Sequence, residues 1–210
     1  MSCKILKSLI IVCLLMLQTS LNAQKEVGKL NNKIGLTFSS LGVSDILGQS
    51  DNTIYINKTK SFYTLGATYI RGLNKWLDVE TGLEYLSYSI NTNTNFLPEN
   101  EIYMRTSESK LKLFNVPATL RINFLKYFFI NAGILIDVDI SNSRYLENQT
   151  GIGGIAGIGA NYNFNSGLSL FFNPYIKAHS WIDFGPRQKI LEKGFRFGFA
   201  YDLRKIIKKR

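Results

Sequence analysis

The sequence predicts an all-β fold, an eight-stranded antiparallel up-and-down transmembrane β-barrel, and three observations carry that expectation. Gly194-Phe-Arg-Phe-Gly-Phe-Ala-Tyr-Asp-Leu203 sets a large apolar residue at every second position, with Gly, Arg, Ala or Asp between. A period of two describes one strand with a greasy face and a polar face. Similar segments recur upstream, none with helical spacing, and their connections alternate between short and long. A closed, even-stranded barrel in an outer membrane combines these features.

Residues 1–23 read as a secretory signal peptide. Lys4 and Lys7 form its positive start, Leu9 to Leu17 its apolar core, and Leu21-Asn22-Ala23 its small-residue cleavage site. The apolar stretch falls short of the ~20 residues that a spanning helix needs. Cys13 lies inside that core and not after small residues at its end, which argues against a lipoprotein signal. The expected organisation is a barrel domain over 24–203 and a basic periplasmic tail over 204–210.

Cys3 and Cys13 would leave with the signal, so no disulfide, Cys-ligated metal or Cys nucleophile is expected in the mature chain. The fold must then close by hydrogen bonding and packing alone. The formal charge of +10 falls to +8 without Lys4 and Lys7. Much of that excess sits in Arg204-Lys-Ile-Ile-Lys-Lys-Arg210, a local feature and not a basic groove. With an export signal in front, nucleic acid is not an expected partner.

Strands are expected at 32–41, 61–72, 75–90, 109–124, 126–140, 151–164, 167–178 and 194–203. Gly72-Leu-Asn-Lys75, Leu125-Lys126 and Asn165-Ser-Gly167 read as tight hairpin connections. Residues 42–60, 91–108, 141–150 and 179–193 read as long polar loops, with Asn91-Thr-Asn-Thr-Asn95 as low-complexity loop lacking charged metal ligands. Short turns belong in the periplasm and long loops outside, so an even strand count puts both termini in the periplasm of a Gram-negative cell.

Which face points outward follows from volume. Leu36, Phe38, Leu65, Leu83, Leu120, Ile130, Ile134, Leu170, Phe172, Phe195, Phe197 and Phe199 share one parity with many other large side chains. An eight-stranded barrel has an interior barely wide enough for its own side chains and would be overfilled by these. The opposite face carries Gly35, Gly66, Gly82, Gly133, Gly157, Gly159, Gly194 and Gly198 among Asn, Thr and charges. Tyr63, Tyr69, Phe124, Tyr162, Phe164 and Tyr201 fall towards strand ends, where interfacial girdles form. The expectation is lipid outside and a polar interior.

Three groups of residues invite a chemical reading. Gly151-Ile-Gly-Gly-Ile-Ala156 matches the dinucleotide pattern G-x-G-x-x-A, but a strand and turn follow where that motif needs a helix, so the glycines read as small lumen residues. His179, Ser180 and Asp183 crowd together, as an acyl-modifying site on lipid A would require. A triad is nevertheless defined by geometry and not by sequence proximity, and the His reads better as an interfacial cap. No cofactor is expected.

The third group is a lumen ion-pair network of Lys33, Asp78, Glu80, Glu84, Arg121, Asp137, Asp139, Lys177, Arg196 and Asp202. Parity and distance from each turn predict Lys33–Asp202 and Glu80–Arg121 pairs, with Asp137 or Asp139 meeting Lys177 or Arg196. Buried charges need such partners, so the expected lumen is sealed and not a small-solute channel.

Trp76-Leu-Asp-Val-Glu-Thr-Gly-Leu-Glu-Tyr85, Leu113-Phe-Asn-Val-Pro-Ala-Thr-Leu120, Ser169-Leu-Phe-Phe-Asn-Pro-Tyr-Ile176 and the closing Phe strand resemble the PorT-like outer-membrane β-barrel family of Bacteroidetes. The Ala23-Gln24 junction is of the same style, and the likeness covers nearly the whole mature chain. It implies a non-enzymatic structural or interaction role, in some relatives as accessories of protein secretion, and offers no catalytic residues. The implied partners are outer-membrane lipids, the barrel-insertion machinery and an outer-membrane or periplasmic protein. The insertion signal would be Arg196, Gly198, Phe199, Tyr201 and Leu203. The tail beyond Leu203 departs from the family pattern.

Overall fold

The computed structural model describes residues 31–47, 55–96, 103–141, 148–183 and 189–207. The expected signal segment and the last three residues of the tail lie outside them. Eight strands follow in order: β1 (Asn32–Leu47), β2 (Tyr55–Gly72), β3 (Leu77–Phe96), β4 (Tyr103–Phe124), β5 (Phe128–Asp139), β6 (Gly151–Asn163), β7 (Leu168–Asp183) and β8 (Lys189–Asp202). Each pairs antiparallel with its neighbour and β8 returns to β1, closing the barrel. Closure leaves no sheet edge around the wall, the condition for strands to cross a bilayer. A one-turn helix, α1 (Leu203–Ile207), ends the described chain.

Alternation sorts the wall as volume demands. Leu36, Leu83, Leu120, Ile134 and Phe199 stand about half exposed on the outside, while Thr37, Thr68, Glu80, Thr119, Arg121 and Arg196 are buried within. Aromatic rings border this apolar surface at two heights. Tyr127, Tyr162 and Phe164 touch in series near the turns, at 5.9 and 4.7 Å between centroids. Tyr63, Tyr85 and Phe114 do so higher up, at 6.2 and 5.6 Å. On β4 the distance from Phe124 to Phe114 is ten residues, about 33 Å of strand, or ~25 Å when tilted by ~40°, the height of an apolar membrane band.

The strand ends opposite the tight turns differ from expectation. Strand structure continues to Leu47, Phe96 and Asp183 and resumes at Tyr55, Tyr103 and Lys189, so three of the expected long loops are much shorter. Asn91–Asn95 is strand and not loop, paired with β2 on one side and β4 on the other. Strand pairing is made by backbone groups, so it needs no apolar alternation in the sequence. Gly151–Ala156 opens β6, as strand and not as a phosphate loop. Residues 140–150 remain a connection between β5 and β6.

The two sides of the barrel rise unequally. β3 and β4 have 20 and 22 residues against 12 and 13 for β5 and β6. The β1–β2 ladder ends at Ser39↔Thr64. A register shift between Ser39 and Leu41 turns β1 there, and beyond it β1 pairs with β8 while β2 pairs with β3. At the other end the connections are tight: residues 73–76, 125–127 and 164–167 join the hairpins.

Candidate functional site: the filled lumen

The interior is built in layers, beginning at the turns. Lys33 Nζ on β1 donates to Asn163 Oδ1 at 2.7 Å and Ser169 Oγ at 2.9 Å, reaching past β8. Ser169 Oγ also donates to Asn163 Oδ1 at 2.7 Å. Asn163 continues to Asn161, Asn161 to Asn123, and Asn123 Nδ2 donates to Asp78 Oδ2 at 2.7 Å. This polar ring corrects one expected pair. Lys33 and Asp202 are opposed in the ladder, but the Asp202 carboxylate accepts from Arg204 at 2.9 Å instead. A tail residue two positions away reaches it more easily than a side chain that the lumen hydroxyl and amides already hold.

Above the ring, the Arg121 guanidinium lies 3.5 Å from the centroid of Phe129 and 5.4 Å from that of Phe171. Both rings occupy space that glycines leave open. A Cβ on Gly159 would strike Phe129, and one on Gly198 would strike Phe171. Stacking over the faces keeps Arg121 partly solvated by π-density. Its Nη1 lies 3.6 Å from Glu80 Oε2, the expected partner.

The central layer joins charges that sequence parity placed on one face but paired differently. Arg196 Nη2 lies 2.9 Å from Glu80 Oε1, and its Nη1 3.7 Å from Glu84 Oε1. Lys177 Nζ donates to Glu84 Oε2 at 2.6 Å. Asn173 Oδ1 accepts from Arg196 at 3.0 Å, and Asn173 Nδ2 donates to Asn131 at 3.2 Å. Glu84 thus takes Lys177, and Glu80 and Glu84 share Arg196, where Asp137 or Asp139 was expected. Asp139 instead accepts from the Ser141 and Gln149 backbone amides and the Ser141 hydroxyl, folding the β5–β6 connection back on itself. At a strand end the adjacent backbone donors outcompete a cation across the lumen.

Asp137 belongs to a third layer, centred on His179. Both are fully buried. His179 Nδ1 lies 3.1 Å from Asp137 Oδ1, and Nε2 lies 3.1 Å from Tyr88 Oη and 3.8 Å from Glu192 Oε2. Tyr88 donates to Glu192, as does Tyr175 at 2.5 Å, and Ser39 Oγ joins Tyr175 at 2.8 Å. Since the Tyr88 proton goes to Glu192, its oxygen accepts from Nε2–H, and both ring nitrogens donate. Across the two layers, Glu80, Glu84, Asp137 and Glu192 face Arg121, Arg196, Lys177 and His179. The set is neutral when the imidazole carries its second proton.

His179 is therefore not an interfacial cap but an interior residue. β7 continues past it, so it shares the parity of Lys177, and a bulge at Ser180, whose φ is 49°, follows it. Ser180 Oγ donates to the Gln149 carbonyl and its amide to Asp137 Oδ2 at 2.9 Å. The hydroxyl is thus spent on backbone, and the His is held by carboxylates and Tyr88. The Asp183 side chain lies outside the described residues. Glu192, Tyr88 and Tyr175 were missed in the sequence. Glu192 fell in a segment read as loop, although its parity with Arg196 would have placed it inside had β8 been extended.

Among the described residues, an apolar cluster lies on the side of the charged layers away from the tight turns. Phe62, Leu86, Tyr88, Ile90, Leu111, Leu113 and Ile190 form one buried cluster across β2, β3, β4 and β8. Leu86 and Ile90 have the parity of Glu84, so the inward face changes from charged to apolar along one strand. Among the described residues no group of three or more His, Cys, Asp or Glu is placed to hold a metal ion.

In the insertion-signal segment, Arg196 is buried within the barrel and Phe199 is about half exposed on its outer surface. Gly198 faces the Phe171 ring, and Tyr201 Oη donates to the Ser166 carbonyl at 3.1 Å. Leu203 opens α1 instead of ending β8.

Among solved structures, the crystal structure of the outer membrane protein OprG from Pseudomonas aeruginosa is similar, with 13% identity and TM-score 0.45 over 81% of this chain and 95% of that one. The outer membrane protein AlkL, solved by solid-state NMR in DMPC bilayers, has 9% identity and TM-score 0.44, over 85% and 94%. The translocator domain of the autotransporter NalP from Neisseria meningitidis has 10% identity and TM-score 0.37, over 95% and 98%. No match was found among curated proteins. The family model described as the outer membrane protein beta-barrel domain matches residues 10–201. With a closed eight-stranded wall, an apolar outside and nearly its whole length matched, the chain belongs to the outer membrane protein beta-barrel domain family.

Proposed function

We propose that this outer-membrane barrel is a sealed, non-enzymatic structural or interaction protein of the PorT-like kind, with termini and short turns in the periplasm and long hairpins outside. The observation that carries the reading is the lumen, where ion pairs cross between β3, β4, β7 and β8 beneath an apolar cluster. A barrel so filled has its surfaces left as working parts. The β3–β4 hairpin, which rises well beyond β5 and β6, is the most prominent of them. A role as accessory to secretion or assembly at the outer membrane fits such a surface. The arrangement also disfavours an acyl-modifying enzyme at His179, because neither His179 nor Ser180 has a free group directed at a substrate.

A photo-crosslinking residue in place of Lys110, exposed on β4, tests the interaction role in native membranes. A discrete adduct with one protein is expected. Adducts with lipid alone, from this position and from neighbouring ones, would contradict it.

A channel is the second reading, and one observation favours it. The Asn115 amide is buried with neither its oxygen nor its nitrogen bonded to protein, which a water column would satisfy. Planar-bilayer conductance separates the two.

A further inference from the structure

The turn end of the barrel carries cations set beside exposed apolar side chains. Lys75 lies between Leu73 and Trp76, which are 40% and 53% exposed. Lys126 lies between Leu125 and Tyr127, 78% and 40% exposed, with its ammonium 5.0 Å from the Tyr127 centroid. At the third turn the cation comes from the tail. Gly167 has φ +99°, and a Cβ there would meet the stem of Lys205, whose ammonium donates to the Asn165 carbonyl next to exposed Phe164. Asp202 N also donates to the Gly167 carbonyl at 3.0 Å, so the first turn of the tail is docked and not loose.

The carboxylates at this end are already partnered and not exposed. Asp78 takes Asn123 and Asp202 takes Arg204. Among the described residues, none of those exposed around these turns is Asp or Glu.

We propose that this collar binds the phosphates of anionic phospholipid headgroups in the leaflet at the turn end. Trp76, Tyr127 and Phe164 suit the layer where acyl chains meet headgroups, and Lys75, Lys126 and Lys205 each lie at one of the three turns of the same end. An acidic protein would satisfy the cations but not the rings and leucines that alternate with them. Only the identity of the leaflet rests on the topology proposed above; the binding does not.

The test is native mass spectrometry of the purified full-length protein titrated separately with phosphatidylglycerol and phosphatidylcholine. The wild type should retain phosphatidylglycerol preferentially. Each cation removed should weaken retention about five-fold. The triple variant Lys75→Gln, Lys126→Gln, Lys205→Gln should therefore lose the preference. The corresponding Arg triple, and Lys110→Gln, Lys112→Gln, Lys193→Gln at the far rim, should keep it. The Arg triple separates loss of charge from loss of fold. Equal retention of both lipids by the wild type, or an unaffected Gln triple, would overturn the proposal. Retention of polyglutamate without phosphatidylglycerol preference would overturn it in favour of an acidic protein surface.

Discussion

Arg196 is the residue on which the interior turns. It reaches both Glu80 and Glu84, so Arg196→Ala takes from Glu80 its nearer cation and from Glu84 one of two, leaving Arg121 at 3.6 Å and Lys177 at 2.6 Å. Removing one member of a buried pair costs about 3–5 kcal/mol. The variant should lose its folded, fast-migrating gel form at a distinctly lower temperature than the wild type, read by heating samples stepwise before electrophoresis. An unchanged midpoint would mean the cluster is wet and screened. Residue identities in this cluster were legible in the sequence because parity alone assigns an inward face. Apart from Glu80–Arg121, the partners were not, because depth along a tilted strand cannot be counted from turns when the far strand ends are misjudged. Lys33 shows a different limit: it is opposite Asp202 in the ladder yet bonds across to Asn163 and Ser169, since a long side chain aims into the lumen and not along the wall.

At the scale of elements, all eight strands and the three tight turns were legible, because the alternation within the membrane band is strict. The outer extensions were not. Asn91–Asn95 has no apolar alternation to mark it as strand, although its backbone is paired on both sides. The apolar cluster over the waist makes its own prediction. Leu111→Ala removes a fully buried side chain and should cost about 2–5 kcal/mol, seen in the same heating series. A cost near zero would show that the hairpins above the band are loosely packed.

β8 tests assembly. Tyr201→Asp adds a charge near the interface, worth only ~0–1 kcal/mol by itself, and removes a hydrogen bond to Ser166. Tyr201→Phe controls for that bond. If the segment Arg196 to Leu203 is read by the insertion machinery, the Asp variant should accumulate far less in the outer membrane while the Phe variant inserts normally. Equal insertion of both would count against recognition.

For the whole molecule, the closed wall, the apolar exterior and the two aromatic girdles account for an outer-membrane barrel whose interior is packed with its own side chains. The fold could be read from the sequence because a bilayer imposes one rule on every strand. The nature of the lumen could be read only in part, since polar residues line the waist but apolar ones close the top. The central claim is that this interior is sealed. The direct measurement is conductance of the purified full-length protein in a planar lipid bilayer at high salt. The account predicts no stable current steps for the wild type and a leak, or simple loss of the folded form on heating, for Arg196→Ala. Reproducible stepwise conductance from the wild type would contradict it.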